Sequence, residues 1–180
     1  TRLQGDWSSD VCSSDLKKEK NMYNKLAIIF SIFLMSCNTD IQYIDYNSID
    51  GLWHKDSVQN FNFEVSTTEK TVYNSFVNLR INEDYIFNNI FLIVTIKDSV
   101  NIISIDTIEH KLADKYGKFL GRKRINIVDN SLLHKENISL DNEKKYFVSI
   151  EHAMRVINKV GGLELLEGVV DVGFKIEKAK

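Results

Sequence analysis

No proline occurs anywhere in the 180 residues of this chain. A turn-rich domain normally uses proline to fix its turns, and its absence leaves Gly, Asn, Asp and Ser to make them. Codon composition accounts for the gap: Ile, Lys and Asn, all written with AT-rich codons, make up 56 residues, whereas proline codons begin CC. Cysteine is nearly as scarce. Of the two present, Cys12 falls in a leader with no bearing on the fold. With Cys37 committed elsewhere, no disulfide is possible and apolar packing alone must hold the domain.

Histidine is limited to His54, His110, His134 and His152, each far from the others in sequence. Beyond residue 21 there is no His-Glu-x-x-His, no cysteine pair and no Asp-x-Asp-x-Asp-Gly loop, so metal-ligand spacing is missing and no metal is implied. Gly-x-Ser-x-Gly and Ser-x-x-Lys, the marks of an activated nucleophile, are missing there too. Gly161-Gly162 lacks the spacing that cradles phosphates and reads as a loop, so no cofactor is implied. Carboxylate pairs such as Glu83-Asp84 or Glu164/Glu167 could serve acid–base chemistry, but solvated turns account for them as well. Neither sign of charge dominates, at a net −2, which argues against nonspecific binding of nucleic acid. The basic run Arg122-Lys123-Arg124 reads as a solvated loop. The expectation is a protein that is not an enzyme.

What the sequence does contain begins with two removable segments. Asp6–Leu16 (DWSSDVCSSDL) looks like the in-frame translation of a sequencing adapter, and residues 1–16 are set aside on that ground. Met22-Tyr23-Asn24-Lys25 then forms a short cationic start, followed by the apolar Leu26–Met35. Ten residues span about half of a ~30 Å hydrocarbon core, too little for a transmembrane helix. Leu34-Met35-Ser36-Cys37 resembles the lipobox of bacterial lipoproteins, in which a small residue precedes a cysteine that takes diacylglycerol through its sulfur. Residues 22–36 are thus expected to be a lipoprotein signal peptide and Cys37 the lipidation site. Several acyl chains, at about 0.8 kcal/mol per buried methylene, give a stable anchor where one gives a marginal one.

The remaining chain carries 18 Lys/Arg against 21 Asp/Glu, a net charge of −3. Residues 37–52 read as a lipidated tether, because 38–50 is polar with no sustained period. From there β signals dominate, and 53–180 is expected to be one domain. Phe61, Phe63 and Val65 alternate with Asn62, Glu64 and Ser66, the period of a strand with one buried face. Val72–Ile81 is a second candidate. Ile90–Ile96 (IFLIVTI) suits a central strand buried on both faces. It should form a hairpin with Val100–Leu112 across Lys97-Asp98-Ser99. Leu132–Leu140, Lys145–Glu151 and Val169–Glu177 complete the set, separated by Asp129-Asn130-Ser131 and Asp141-Asn142-Glu143 as turns. His152–Ile157 is compatible with a single helical turn. Seven or so short strands imply an all-β fold, a single antiparallel β-sandwich of jelly-roll or immunoglobulin-like type.

Tyr73–Arg80 (YNSFVNLR), Asn82–Tyr85 (NEDY), Asn89–Leu92 (NIFL), Asp106-Thr107-Ile108, Leu112–Gly121 (LADKYGKFLG), His134–Asn137 (HKEN), His152–Arg155 (HAMR) and Leu166–Glu177 (LEGVVDVGFKIE) stand in a specific order and spacing. Together they resemble the gliding-motility lipoprotein H (GldH) family of the Bacteroidota. The chain departs from the family pattern at Ile86, where the family has proline, at Phe119, where it has Trp, and in the run from Arg122 to Ile125. The resemblance implies a component of surface gliding, coupled to type IX secretion and sited in the outer membrane. It brings no catalytic or cofactor-binding residues.

Two readings follow. One is a structural or interaction subunit docked to other gliding or secretion envelope proteins. The other is a glycan-binding β-sandwich that stacks sugars on Trp53, Tyr73, Tyr85, Tyr116, Phe119 and Tyr146. Cys37-Asn38-Thr39-Asp40-Ile41-Gln42 has no acidic cluster of the kind associated with surface display in this phylum, so the domain is expected to face the periplasm. Replacing Cys37 with Ser should leave an uncleaved precursor that takes up no radiolabelled fatty acid. Labelling at the wild-type level would remove the lipidation site from this position.

Overall fold

The computed structural model describes residues 40–66, 71–156 and 161–179. Cys37, the signal peptide and the leader lie outside them. The described residues form eleven strands: β1 (Ile41–Ser48), β2 (Leu52–His54), β3 (Gln59–Glu64), β4 (Val72–Ile81), β5 (Asn89–Lys97), β6 (Ile102–Lys111), β7 (Arg122–Arg124), β8 (Ile127–Ser139), β9 (Lys145–His152), β10 (Leu165–Glu167) and β11 (Val169–Lys178). All pairings are antiparallel. A larger sheet has the order β1-β11-β4-β8-β7, a smaller one β3-β9-β5-β6, and β10 pairs with β2 in a two-stranded ribbon. The described residues are all-β, as the alternating sequence implies.

Alternation decides which side chains are buried. On β4, Tyr73, Val77, Leu79 and Ile81 point inward, and on β5 so do Ile90, Leu92, Val94 and Ile96. These residues belong to one cluster that also takes in Phe61, Phe63, Val172 and Phe174. The Phe174 ring on β11 lies 6.3 Å from Phe61 and 6.1 Å from Phe63 on β3, so the two sheets meet there. The β5–β6 hairpin turns at Asp98, whose carboxylate accepts the N–H groups of Val100 and Asn101 at 2.8 and 2.6 Å. Gly168, at φ 84°, sits so near the Tyr85 backbone that a Cβ would come within 2.2 Å of its nitrogen. Only glycine fits there.

Five expectations need correction. Within the segment read as a tether, Ile41–Ser48 is strand β1, paired with β11. Tyr43 stacks on Phe63 at 5.1 Å, but an edge strand keeps both faces partly wet, so its period is faint. Ile90–Ile96 is central in its sheet yet buried on one face only. Phe91 and Ile93 on the outer face are themselves apolar and disguise the alternation. Asp129-Asn130-Ser131 makes no turn and lies inside β8. There Asn130 donates to the carbonyls of Leu79 and Val128, both at 3.3 Å, satisfying its own amide within the sheet. Arg122–Arg124 is β7, not a loop. After His152, residues 153–156 form no helix; the Ala153 N–H bonds to Phe91 O and Met154 O accepts from Leu163, while 157–160 fall outside the described residues.

Leu92 has no exposed surface. Leu92→Asp would place an unpaired carboxylate among apolar side chains at a cost of several kcal/mol, against about 2–5 kcal/mol for Leu92→Ala. Chemical denaturation should show the alanine variant folded at reduced midpoint and the aspartate variant largely unfolded; a wild-type midpoint for the aspartate variant would contradict the burial of this strand.

Candidate functional site

The widely spaced histidines do find polar partners in the fold. His134 on β8 has Nδ1 2.8 Å from Ser75 Oγ on β4 and Nε2 3.2 Å from Asp106 Oδ2 on β6. Serine, histidine and aspartate are the residue types of an acyl-transfer relay. Ser75 has no exposed surface and neither has the His134 side chain, so the hydroxyl faces no solvent. Burial pushes the His134 pKa down, outweighing the pull of Asp106 the other way. The neutral ring then donates Nε2–H to Asp106 and accepts the Ser75 hydroxyl at Nδ1.

This arrangement spans the two sheets. β4 and β8 belong to the larger sheet and β6 to the smaller, and His110 on β6 adds a contact from Nε2 to Leu133 O at 2.8 Å. Lys135 Nζ reaches Asp106 at 3.4 Å. The group fastens the free edge of β6 to β8. His152 Nε2 meets Trp53 O at 3.2 Å, while His54 lies 3.7 Å from Asp56 and 3.8 Å from Glu164. Among the described residues no group of three His, Cys, Asp or Glu is placed to hold a metal ion.

The six aromatics weighed as a sugar platform do not share a surface. Trp53, Tyr73, Tyr85 and Tyr146 are buried in the core, and Tyr116 stands alone in solvent. The Tyr85 hydroxyl spends its donor on Asn89 O at 2.8 Å. The stacking platform is overturned: four of the rings are core, and Phe119 is partly buried against it.

The outer face of the larger sheet carries a charged ladder that sequence reasoning missed. Register aligns Ser48, Asp171, Arg80, Asp129 and Arg122 across β1, β11, β4, β8 and β7. Arg80 donates from Nε to Asp129 at 3.0 Å and from a terminal nitrogen to Asp171 at 3.1 Å. Arg124 Nε meets the other Asp129 oxygen at 2.6 Å. One rung along, the Arg80 guanidinium lies 4.2 Å from the centre of the Tyr46 ring. That ring rests on Gly173, where a Cβ would come within 2.6 Å of it. Partly exposed pairs of this kind are worth about 0–1 kcal/mol each, so the ladder contributes less to stability than to holding its side chains in fixed positions.

Beside it the β7–β8 hairpin turns through Ile125-Asn126 and lifts Ile125 into solvent, 92 % exposed. A hollow of about 530 Å³ is lined by Arg80, Arg124, Asp129, Ile125, Asn126 and Ile127. A smaller one of about 250 Å³ adjoins it toward Tyr46 and shares Arg80, Arg124 and Asp129. Together they form a groove. The clue in sequence was the alternation that turns Arg80 outward on β4, but its partners lie 49 and 91 residues away.

The chain matches the GldH lipoprotein family over residues 42–176, from the start of β1 nearly to the end of β11. It is 39 % identical over 153 residues to a protein of Flavobacterium johnsoniae named gliding motility lipoprotein GldH, covering 85 % of this chain and 94 % of that one. A gliding motility lipoprotein GldH homolog of Christiangramia forsetii is also 39 % identical, over 161 residues, covering 89 % of this chain and 98 % of that protein. No solved structure matches. Spanning the whole strand succession and agreeing with two full-length relatives, this chain belongs to the GldH lipoprotein family.

Proposed function

We propose that the protein is a gliding-motility lipoprotein of the outer membrane, anchored through Cys37, whose β-sandwich domain faces the periplasm and acts by binding other envelope proteins rather than by catalysis. The observation that carries this reading is the family match from β1 to β11, joined to the relatives' names, which attach gliding motility to such lipoproteins. Coupling to type IX secretion rests on the family resemblance. The lipobox resemblance of Leu34–Cys37 and the lack of an acidic cluster after Cys37 support the anchor and the orientation. The non-catalytic role is favoured by the enclosure of Ser75 and His134, a relay-like set of residues, beneath the sheet surface.

The cellular test is deletion of the gene in a gliding member of the phylum. Gliding should stop, return with the wild-type gene and fail to return with Cys37→Ser. Protease added to the complemented cells should leave the domain intact until the outer membrane is permeabilised; digestion in intact cells would place it outside, and continued gliding of the deletion strain would remove the motility role.

Reading Ser75–His134–Asp106 as a structural clamp has its own test. Burial lowers the folded pKa of both His134 and His152 below the ordinary 6.5. Below that value the unfolded chain takes up protons that the fold refuses, so stability falls as pH drops from 7.5 towards 5. The carboxylate with a lowered pKa in the clamp, Asp106, starts from 3.8 and acts only in more acid solution. His134→Gln, which leaves buried polar groups without partners, should cost about 1–3 kcal/mol at pH 7.5. It should also flatten the urea-midpoint slope between pH 7.5 and 5; an unchanged slope would show that His134 is already protonated in the fold.

A further inference from the structure

The groove on the outer face of the larger sheet holds charge that the fold does not use. Asp129 and Asp171 are both engaged by Arg80, and Asp129 by Arg124 as well. Arg122 has no carboxylate within 4.0 Å among the described residues. Three cations, Arg80, Arg122 and Arg124, therefore share this face with two anions, and the surplus is Arg122 on β7, near an exposed isoleucine; Lys123, paired with buried Val128, lies on the other face. A cation held without a partner beside a hollow whose lining includes Ile125 and Ile127 fits a ligand that sets a carboxylate next to an apolar side chain.

We propose that this groove binds an extended acidic segment of a partner protein, with a carboxylate on Arg122 and a neighbouring apolar side chain against Ile125 and Ile127. A volume of about 530 Å³ accommodates one or two side chains and lies within the ordinary range of ligand pockets, about 300–1,000 Å³. Tyr46 is the ring a sugar would need, but one face lies on Gly173 and the other under Arg80, so neither is free for stacking. A lipid surface is disfavoured by placement. β1 enters the sheet at Ile41, level with Asn74 of β4, whereas the hairpin is level with Arg80. Six strand residues separate those levels, about 20 Å, so the hairpin is at the end of the sheet away from where the anchor arrives.

This inference deepens the reading of the domain as a binding component and rests on it, but its test needs no motile cell. The full chain, purified in detergent micelles, would be panned against a phage-displayed library of random dodecapeptides, and an enriched peptide measured by fluorescence anisotropy. The expected peptides carry Asp or Glu beside an apolar residue. Charge reversal with Arg122→Glu should weaken binding at least tenfold, and Ile125→Asp should weaken it at least fivefold. Both residues are exposed and outside the core, so thermal unfolding should be unchanged. Enriched peptides without acids, no enrichment, or equal affinity for the charge-reversed chain would each overturn the proposal. So would tighter, Arg122-dependent binding of polygalacturonate or of phosphatidylglycerol vesicles. Failure here with gliding still dependent on the gene removes the groove's ligand and leaves the motility role standing.

Discussion

Phe174 is fully buried on β11 and lies within ring contact of Phe61 and Phe63 on the opposite sheet. With no disulfide in the described residues to close the domain, this apolar contact and the alternating Val, Leu and Ile around it are what keep the sheets together. Everything on the outer faces depends on it. Because side chains alternate along a strand, committing Leu79 and Ile81 to the core commits Arg80 to the opposite surface. A slip of one residue in β4 would bury that guanidinium and dissolve the charged ladder. The position of the groove is therefore a consequence of core packing, with the ion pairs following from it.

The polar contacts between sheets have a different role. Apolar surfaces slide, whereas the Ser75–His134–Asp106 set and the His110 bond to Leu133 are met only in one register. They fall where β6, the free edge of the smaller sheet, passes β8. Such edges invite pairing with other chains, and fastening the strand by its inward side chains leaves it less free to open. The residues that resemble a catalytic relay are thereby explained by where they sit.

How much of this was legible in the sequence depended on how local the information was. β4 and β9 could be read within a residue because their alternation is written in consecutive positions, and the β5–β6 hairpin because Asp98 makes its own turn. β1 was missed because an edge strand with two half-wet faces has little contrast. β7 was missed because Ile125-Asn126 is not one of the usual hairpin turn pairs, and Asp129–Ser131 was taken for a turn because its partners are far away in sequence. The ladder depends on matching positions 80, 122, 129 and 171, which no single window contains. The lipidation expected at Cys37 is the reverse case: it is read from four consecutive residues and draws nothing from the fold.

That β1 is a strand changes the mechanics of attachment. Three residues separate Cys37 from Ile41, a reach of about 13 Å at full extension, so a lipid on that cysteine would hold the domain close to its membrane. Tension entering at Ile41 and leaving through the β7–β8 hairpin runs along the strands of the larger sheet, from one end to the other. It loads the β1–β11 hydrogen bonds in shear, all resisting at once. A pull across the sheet would open them one after another like a zip.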